Sequence, residues 1–365
     1  MTGTKKIWIK ANGNEEVATG HIRRCMTIAE ELIKRGWSAE FILSDANSAN
    51  VLKTLSKEDN VFFDARIMHT AYSEPMGDME VLKEYFREEV PDFFLADSIF
   101  VTPEYFNALH DIIPEGKVVR TGYIDDRDKS DYPVNLVINY NIEPGDIYQS
   151  AEVKLLGGEY APLREEFSES TYSVKDSAKK AFLSAGGTDP RGVIGKILNE
   201  IYEGDSPCRK VLDFTGIECE VIVGALFDAD YRRELREIAG RHQGITLHDQ
   251  VEAMRGLMEK CDFAVSAGGA TLFELCALGV PTVGFSMTDS QAEFVEAFDR
   301  VGAVKYAGDA RTDHRLVQKI VTWGTAAIDN RGFRNRMSSK AKSIIDGKGI
   351  YRIADAIESL VTKDK

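Results

Sequence analysis

The chain has few cysteines and histidines and no excess of basic residues. Its five cysteines are odd in number and form no close pair, so we expect reduced thiols rather than a disulfide framework. Cys208 and Cys219 are too far apart for a C-x-x-C pair, so we expect no metal site. The formal net charge of −14 repels a nucleic-acid backbone, and we expect no nucleic-acid partner. An anionic small molecule is compatible with this charge, because helix N-termini and backbone N–H groups can hold a phosphate.

Long apolar runs are also missing. No window reaches the roughly 18–20 apolar residues that a membrane span needs, so we expect no integral membrane segment. Lys5 and Lys6 lead directly into a short strand-like run without an apolar region behind it, so we expect no signal peptide and a cytoplasmic location. The content of 43% hydrophobic and 28% charged residues is typical of a globular protein.

A length of 365 residues is large for one core and predicts two domains. Strands and helices alternate in both halves, which predicts parallel sheets with right-handed crossovers. The polar stretch Ser168–Lys180 is the best linker candidate. We therefore expect an N-terminal domain over 1–167 and a C-terminal domain over 181–365, whose last helices could pack back on the first. Both would be doubly wound, Rossmann-like α/β domains, facing each other across a cleft.

The individual elements follow from hydrophobic periodicity. The predicted strands are Lys6–Lys10, Ala39–Leu43, Phe93–Asp97, Val118–Asp125, Leu136–Asn139, Ala181–Ala185, Glu218–Gly224, Thr246–His248, Asp262–Ser266 and Thr282–Phe285. The predicted helices are His21–Arg35, Val193–Tyr202, Asp230–Arg241, Val251–Lys260 and Thr271–Leu278, with helical segments from there to the end.

The strongest motif is Ser266-Ala-Gly-Gly-Ala-Thr-Leu-Phe-Glu274, a strand followed by a glycine turn and a helix. Gly268 and Gly269 leave room for a ligand, and the helix start near Thr271 offers N–H groups to a pyrophosphate. Glu274 lies one turn into the helix, where its carboxylate can accept from sugar hydroxyls. The alternative is a plain turn capped by Thr271. The following Leu278-Gly-Val-Pro-Thr282 and Asp289-Ser-Gln291 favour the binding interpretation.

A second glycine turn, Ala185-Gly-Gly-Thr-Asp-Pro190, follows the first strand of the C-terminal domain. It could face a ligand at the carboxyl ends of the strands. A tight turn in which Asp189 or Thr188 caps a helix explains it equally well. Asp228-Ala-Asp230 has the spacing of a metal-binding D-x-D, but its position before a helix favours capping.

His21 lies in the stretch Val17-Ala-Thr-Gly-His-Ile-Arg-Arg-Cys25, directly after a glycine and at a helix start. Histidine can take up and return a proton near neutral pH, so His21 is a candidate general base. A helix N-terminus disfavours the charged imidazolium. A capping or surface histidine is the alternative, and we prefer that alternative for the other five histidines.

Seven segments in order resemble one family across nearly the whole chain. They are "TGHIRRCMTIAEEL", "ADSIFVTPEY", "YIDD", "YPVNLVINYN", "LLGGEYAPLREEF", "LSAGGTDPRG" and "SAGGATLFELCALGVPTVGF". The chain resembles the UDP-sugar hydrolases of pseudaminic-acid biosynthesis and their spore-coat-polysaccharide relatives. These have the GT-B fold, which they share with the lipid II N-acetylglucosaminyltransferase.

The resemblance implies that His21 activates a water that attacks the anomeric carbon, whereupon UDP leaves. No metal or cofactor is implied. Arg23 and Arg24 would hold a nearby phosphate. The implied substrate-binding residues are Asn12, Thr19, Gly20, Arg23, Ile99, Gly186, Gly187, Thr188, Val251, Ser266, Gly268, Gly269, Ala270, Thr271, Glu274, Asp289, Ser290 and Gln291. Within this set the two glycine turns would hold the diphosphate, Glu274 the ribose and the backbone near Val251 the uracil.

The sequence departs from the family pattern at four positions. Ala18 replaces a glycine, Asn12 an aspartate, Ser290 an asparagine and Ile99 a tyrosine. All four lie on the implied sugar side, so UDP is the firmer part of the prediction and the sugar is left open. A glycosyltransferase that uses the same UDP-sugar site and a non-catalytic nucleotide-sugar-binding protein are the alternatives.

Overall fold

The computed structural model describes residues 4–14, 19–127, 130–203, 216–249, 251 and 253–363. The chain divides into two compact units, Met1–Arg164 with Lys348–Lys365, and Glu165–Gly347. The stretch 168–180, predicted as a linker, lies in the second unit. Tyr172 is buried there and its hydroxyl donates to the carbonyl oxygen of Asp262 at 2.9 Å. Burial of this ring holds the segment on the unit, although its polar composition is typical of a linker.

The elements within the described residues alternate along most of the chain. The strands are β1 (Lys6–Ala11), β2 (Ser38–Leu43), β3 (Asp64–Ile67), β4 (Phe93–Asp97), β5 (Arg120–Ile124), β6 (Leu136–Asn139), β7 (Val153–Leu156), β8 (Lys180–Ser184), β9 (Glu218–Ile222), β10 (Ile245–His248), β11 (Phe263–Ala267), β12 (Thr282–Ser286) and β13 (Lys305–Asp309). The helices are α1 (Gly20–Lys34), α2 (Ala46–Asp59), α3 (Asp78–Glu88), α4 (Pro103–Ile112), α5 (Val193–Tyr202), α6 (Ala229–Arg241), α7 (Met254–Lys260), α8 (Ala270–Leu278), α9 (Asp289–Arg300), α10 (Leu316–Asp329), α11 (Arg331–Ile344) and α12 (Gly349–Thr362).

The first unit is built on a seven-stranded sheet of order β3-β2-β1-β4-β5-β6-β7, and all its pairings are parallel. Central strand β1 is covered on both faces, because Ile7 and Ile9 belong to one apolar core and Trp8 to another. The order of connections reverses between β1 and β4. Open α/β sheets bind ligands beyond the carboxyl ends of the strands at such a switch point.

Helices α1 and α12 pack together over one face of this sheet. The apolar side of α1 buries Ile22, Met26 and Leu32 in the same core that takes Ile353 and Ile357 of α12. The last helix of the chain therefore supports the helix on which the candidate base lies.

The second unit has a six-stranded sheet of order β10-β9-β8-β11-β12-β13, again parallel throughout. Strands β8 and β11 form its switch point. The predicted glycine turns follow these two strands, and so they lie side by side at the carboxyl edge of the sheet. The parallel, doubly wound α/β architecture expected from the sequence is thus present in each unit.

Several boundaries differ from the sequence-based expectations. The strand expected from Val118 begins at Arg120, and the helix expected from Val251 begins at Met254. Strand β13 lies where only helices were expected. It is a half-buried edge strand with the charged residues Lys305 and Asp309 at its ends, so its sequence shows no apolar run. Along the described part of the chain, each helix is too short or too polar to span a membrane.

Candidate functional site

A small pocket lies in the first unit at the carboxyl ends of β1 and β4. Its volume is about 180 Å³, including the open space at its mouth, and it is lined by Asn12, His21, Tyr72, Asp97, Ser98, Ile99 and Phe100. Asn12, His21 and Ile99 were proposed from the sequence. The structure brings these three together at the switch point of the sheet, where a ligand is expected.

His21 is the second residue of α1 and is paired with the carboxylate that ends β4. Its Nδ1 lies 2.6 Å from Oδ1 of Asp97, and its side chain is 14% exposed. Nδ1 also lies 3.0 Å from Nη2 of Arg24, which only donates, but the shorter distance to the carboxylate, which only accepts, assigns the proton to Nδ1. The other ring nitrogen, Nε2, is then the one that can take up a proton, and Asp97 fixes the orientation of the ring.

Asp97 is also bound by Arg24, one turn along α1 from His21. The guanidinium donates from Nε to Oδ2 and from Nη2 to Oδ1, both at 2.5 Å. Burial would raise the pKa of Asp97, but Arg24 and then His21 outweigh it and hold that pKa well below its usual range. The carboxylate therefore stays ionised at neutral pH although it is fully buried.

The far side of Arg24 faces two further groups. Nη1 donates to Oδ2 of Asp126 at 3.0 Å and to the hydroxyl of Tyr140, and the guanidinium carbon lies 5.5 Å from the Tyr140 ring centre. Burial raises the pKa of Tyr140 to about 12, against the lowering effect of Arg24. Arg24 is thus engaged by protein groups, and its contact with a phosphate stays a prediction. Arg23, next to it, is half-buried.

Asn12 has a single hydrogen-bonding orientation in the pocket wall. Its Oδ1 accepts from the backbone N–H of Ser44 at 3.1 Å, and its side chain is 4% exposed. Its Nδ2 is buried and has no hydrogen-bond partner within the described residues. Thr19 precedes α1, and its carbonyl accepts from the N–H of Arg23 at 3.0 Å. Gly20 is exposed, and a Cβ there would meet nothing within 4 Å.

In the second unit, the turn after β11 leads directly into α8. The helix begins at Ala270 after Gly269, which provides no side-chain cap, and Thr271 already lies inside the helix. The alternative of a cap by Thr271 is therefore wrong. A Cβ on Gly268 would lie 2.5 Å from Cγ2 of Val295, so packing against α9 requires glycine there. Ser266 is fully buried, and its hydroxyl donates to the carbonyl of Ala267.

The turn after β8 packs against the loop that follows β9. Gly186 has φ of +80°, a conformation that favours glycine, while Gly187 and Thr188 are exposed. A Cβ on Gly224 would lie 2.4 Å from the carbonyl oxygen of Gly186, so the two loops are in close contact. Asp189 accepts from the N–H groups of Val193 and Ile194 at 2.8 and 2.9 Å. The interpretation of Asp189 as a helix cap is confirmed.

The remaining candidates of the second unit lie on or beside α7, α8 and α9. Glu274 is half-buried on the second turn of α8. Gln291 accepts at Oε1 from the N–H of Met287 at 2.9 Å, and Asp289 pairs with Arg311 at 2.6 Å. Ser290 lies 3.2 Å from the hydroxyl of Thr288. Val251 is half-buried before α7; both of its chain neighbours lie outside the described residues, as does Ala18 of the first unit.

Both acids of the D-x-D spacing are engaged by protein groups. Asp228 caps α6 by accepting from the N–H of Tyr231 at 2.8 Å, and Asp230 pairs with Arg233 at 2.7 Å. Across the described ranges, no three His, Cys, Asp or Glu side chains cluster closely enough to bind a metal ion.

Sequence reasoning missed part of the pocket. Asp97, Tyr72, Ser98 and Phe100 line it but were not selected. Asp97 could have been found, because an acid that ends a fully apolar strand ("FFLAD") emerges at the carboxyl edge of a parallel sheet. Tyr72 gives no such indication, since it lies in an irregular segment between β3 and α3.

The chain is similar in sequence to two curated proteins. It is 22% identical over 220 residues to the spore coat polysaccharide biosynthesis protein SpsG of Bacillus subtilis. The aligned region covers 60% of each chain. It is 23% identical over 302 residues to the uncharacterized protein MJ1062 of Methanocaldococcus jannaschii, with coverage of 79% of this chain and 57% of that one. The chain thus spans about three fifths of the length of these relatives. No family model matches it.

Solved structures resemble the fold along the whole chain. MurG of Acinetobacter baumannii has a TM-score of 0.64 at 15% identity, covering 97% of this chain and 99% of its own. UDP-GlcNAc 2-epimerase of Neisseria meningitidis, bound to UDP-GlcNAc, has a TM-score of 0.61 at 13% identity, covering 98% and 100%. The calicheamicin glycosyltransferase CalG4 reaches 0.65 at 11%, covering both chains fully. At such low sequence identity, the structural similarity shows the fold alone. This fold consists of two Rossmann-like units of the GT-B class, as expected.

The first prediction concerns the buried carboxylate. Asp97→Asn should lower the free energy of unfolding by about 3–5 kcal/mol, because Arg24 would be left without its buried counter-charge. Asp126→Asn is the matched control, since Asp126 contacts the same guanidinium but is 19% exposed, and it should cost about 1 kcal/mol or less. Urea denaturation at pH 7 measures both.

The pH dependence follows from the lowered pKa of Asp97. The stabilisation is present above the pKa of an unfolded aspartate, about 3.9, and is lost as the pH falls through the lower folded value. The gap between wild type and Asp97→Asn should therefore persist at pH 5. Equal losses for the two variants would contradict the role given to the buried pair.

Proposed function

We propose that the chain is a nucleotide-sugar hydrolase, which releases UDP and a free, amino-deoxy sugar for surface-glycan or nonulosonic-acid biosynthesis. The observation that carries the proposal is the His21–Asp97 pair in the pocket at the first switch point, with Nδ1 and Oδ1 2.6 Å apart. The similarity to SpsG supports a role in polysaccharide biosynthesis, and the UDP-GlcNAc-bound epimerase with the same fold supports the substrate class.

His21 acts as a general base on water. Asp97 accepts from Nδ1–H, so Nε2 is basic and takes the proton of the water as its oxygen bonds to the anomeric carbon. The imidazolium that forms is stabilised by the same carboxylate, whose charge Arg24 maintains by keeping Asp97 ionised. The bond between the anomeric carbon and the diphosphate oxygen breaks, and its electron pair leaves with UDP.

The second unit binds the nucleotide. The N-terminus of α8 after Gly268 and Gly269, together with the turn at Gly186–Thr188, directs N–H groups to the diphosphate, where negative charge develops as UDP departs. Glu274 accepts from the ribose hydroxyls, and the backbone near Val251 contacts the uracil. Asp289, Ser290 and Gln291 lie over the phosphates and the sugar.

A glycosyltransferase is the second candidate, and the shared fold with CalG4 favours it. His21 would then deprotonate an acceptor hydroxyl instead of water. Product analysis decides: free sugar with UDP indicates hydrolysis, sugar on an acceptor indicates transfer, and tight binding without turnover indicates a binding protein.

Replacement of His21 tests the base. His21→Asn should lower turnover about 10²–10⁴-fold, because no other group would take the proton of the water. UDP affinity should stay within twofold, since the nucleotide contacts lie in the second unit. Steady-state kinetics and calorimetry measure the two quantities. His242→Asn is the control, because His242 pairs with Glu203 on the surface of the second unit; a loss of the same size there, or turnover near wild type in His21→Asn, contradicts the assignment.

Replacement of Glu274 tests the ribose contact. Glu274→Ala should weaken UDP binding by about 1–3 kcal/mol, because the ribose hydroxyls lose a charged acceptor. Calorimetry with UDP and with 2′,3′-dideoxy-UDP separates this contact from a general disturbance: the variant should no longer distinguish the two nucleotides. Glu293→Ala, which alters an exposed glutamate on α9, serves as the control. Equal UDP affinities of wild type and Glu274→Ala would end the assignment.

Removal of metal should leave the reaction intact. The proposed steps use an imidazole base and backbone N–H groups, and no step needs a divalent ion. Turnover measured after dialysis against EDTA should therefore match untreated protein. If turnover vanishes and returns with Mg²⁺ or Mn²⁺, the mechanism is incorrect and Asp228 and Asp230 need to be reconsidered as ligands.

A further inference from the structure

A lysine is buried near the carboxyl end of β1, an inner strand of the first unit. Lys10 and its partner Asp78 are both fully buried, with Nζ and Oδ2 2.9 Å apart. Moving two charges out of water costs several kcal/mol per ion, and a well-packed apolar pair is often as stable or more so. Burial lowers the pKa of Lys10, against the raising effect of Asp78. Stability alone therefore gives no reason for an ion pair here.

The lysine side of the pair leads to the pocket through Ser44. Nζ of Lys10 donates to Oγ of Ser44 at 2.5 Å, and the backbone N–H of Ser44 donates to Oδ1 of Asn12 at 3.1 Å. Because Oδ1 is engaged inside the protein, the Asn12 amide cannot flip without losing this bond. Its buried Nδ2 is thereby held as the hydrogen-bond donor of the pocket wall.

The aspartate side leads to another wall of the same pocket. Oγ1 of Thr70 donates to Oδ1 of Asp78 at 2.6 Å, and the N–H of Thr70 donates to the carbonyl of Ser44 at 2.9 Å. Tyr72 follows two residues later, lines the pocket and packs edge-on against Phe100, with ring centres 5.7 Å apart. One ion pair therefore connects to Asn12 and to the segment that carries Tyr72.

We propose that the Lys10–Asp78 pair is a positioning device that fixes Asn12 and Tyr72 for recognition of the sugar. The His21 ring is held separately by Asp97, on β4. Loss of the pair should therefore impair binding of the sugar and leave proton transfer unchanged. The catalytic part of this inference rests on the proposed function, and the conformational part does not.

The experiment replaces the pair by apolar residues. In Lys10→Met/Asp78→Val no unpaired charge remains, so urea denaturation should show a folded protein. The Asn12 side-chain amide, observed by ¹⁵N relaxation and assigned with Asn12→Ala, should change from a rigid order parameter near 0.85 to below about 0.6. KM for the sugar nucleotide that wild type turns over should rise about tenfold with kcat within threefold, because the lost contacts bind the sugar equally in the ground state and in the transition state.

A milder variant keeps the test decisive if the double variant does not fold. Thr70→Val removes the hydroxyl that joins Asp78 to the Tyr72 segment, and it should raise KM in the same direction. Thr121→Val is the control, since Thr121 lies in the same unit and is more deeply buried than Thr70, but its Oγ1 lies near His110 and Asn135; it should leave KM and the amide unchanged.

Three results overturn the proposal: a rigid Asn12 amide in the folded double variant, an unchanged KM, or a fall in kcat without a change in KM. Failure of the proposed function is recognised separately. If wild type turns over no sugar nucleotide, UDP-N-acetylglucosamine included, the hydrolase assignment falls. The relaxation of the Asn12 amide in the unliganded protein then still decides whether the ion pair positions the pocket.

Discussion

The candidate site of the first unit depends on one buried carboxylate. Asp97 ends the apolar strand β4 and is fully buried, yet it stays ionised because Arg24 binds both of its oxygens. The same carboxylate orients His21 through Nδ1, which leaves Nε2 as the nitrogen that can take up a proton. The candidate base His21, the carboxylate that orients it and the cation that balances this carboxylate lie on α1 and β4 alone. Their arrangement therefore depends on the packing of that helix on that strand.

That packing is in turn maintained by distant parts of the chain. Helix α1 shares its core with α12, which lies more than 300 residues later in the sequence. The loop after β1 is held through Ser44 and the buried Lys10–Asp78 pair. This buried polar network adjoins the pocket at its aromatic and amide walls, through Tyr72 and Asn12. The first unit thus combines an apolar support for the base with a polar support for the pocket wall.

The second unit also has its candidate site at the switch point of its sheet, but the groups there are backbone N–H groups instead of charged side chains. Its two glycine turns follow the strands at its own switch point, and α8 begins without a side-chain cap over its first N–H groups. Gly268 is required by its contact with Val295 and Gly224 by its contact with Gly186, so not every glycine of the motif is there for a ligand. Backbone groups would do the binding in this unit, and side chains would do the chemistry in the other. In the proposed function, this division explains how a chain with a formal net charge of −14 can bind an anionic nucleotide.

The two doubly wound α/β units, the two glycine turns and the candidate His21 could all be predicted from the amino-acid sequence. The alternation of strand-like and helix-like apolar patterns is a local feature of the sequence, and so is the presence of glycine after a strand. Both can therefore be recognised without a structure. The contacts of Asp97 and Arg24 with His21, and the pairing of Lys10 with Asp78, became visible only in the folded structure. That structure also placed the stretch 168–180 on the second unit. These contacts join residues that are far apart in sequence. The charged groups are removed from water only when the strands lie side by side, and this burial is what strengthens the interactions between them.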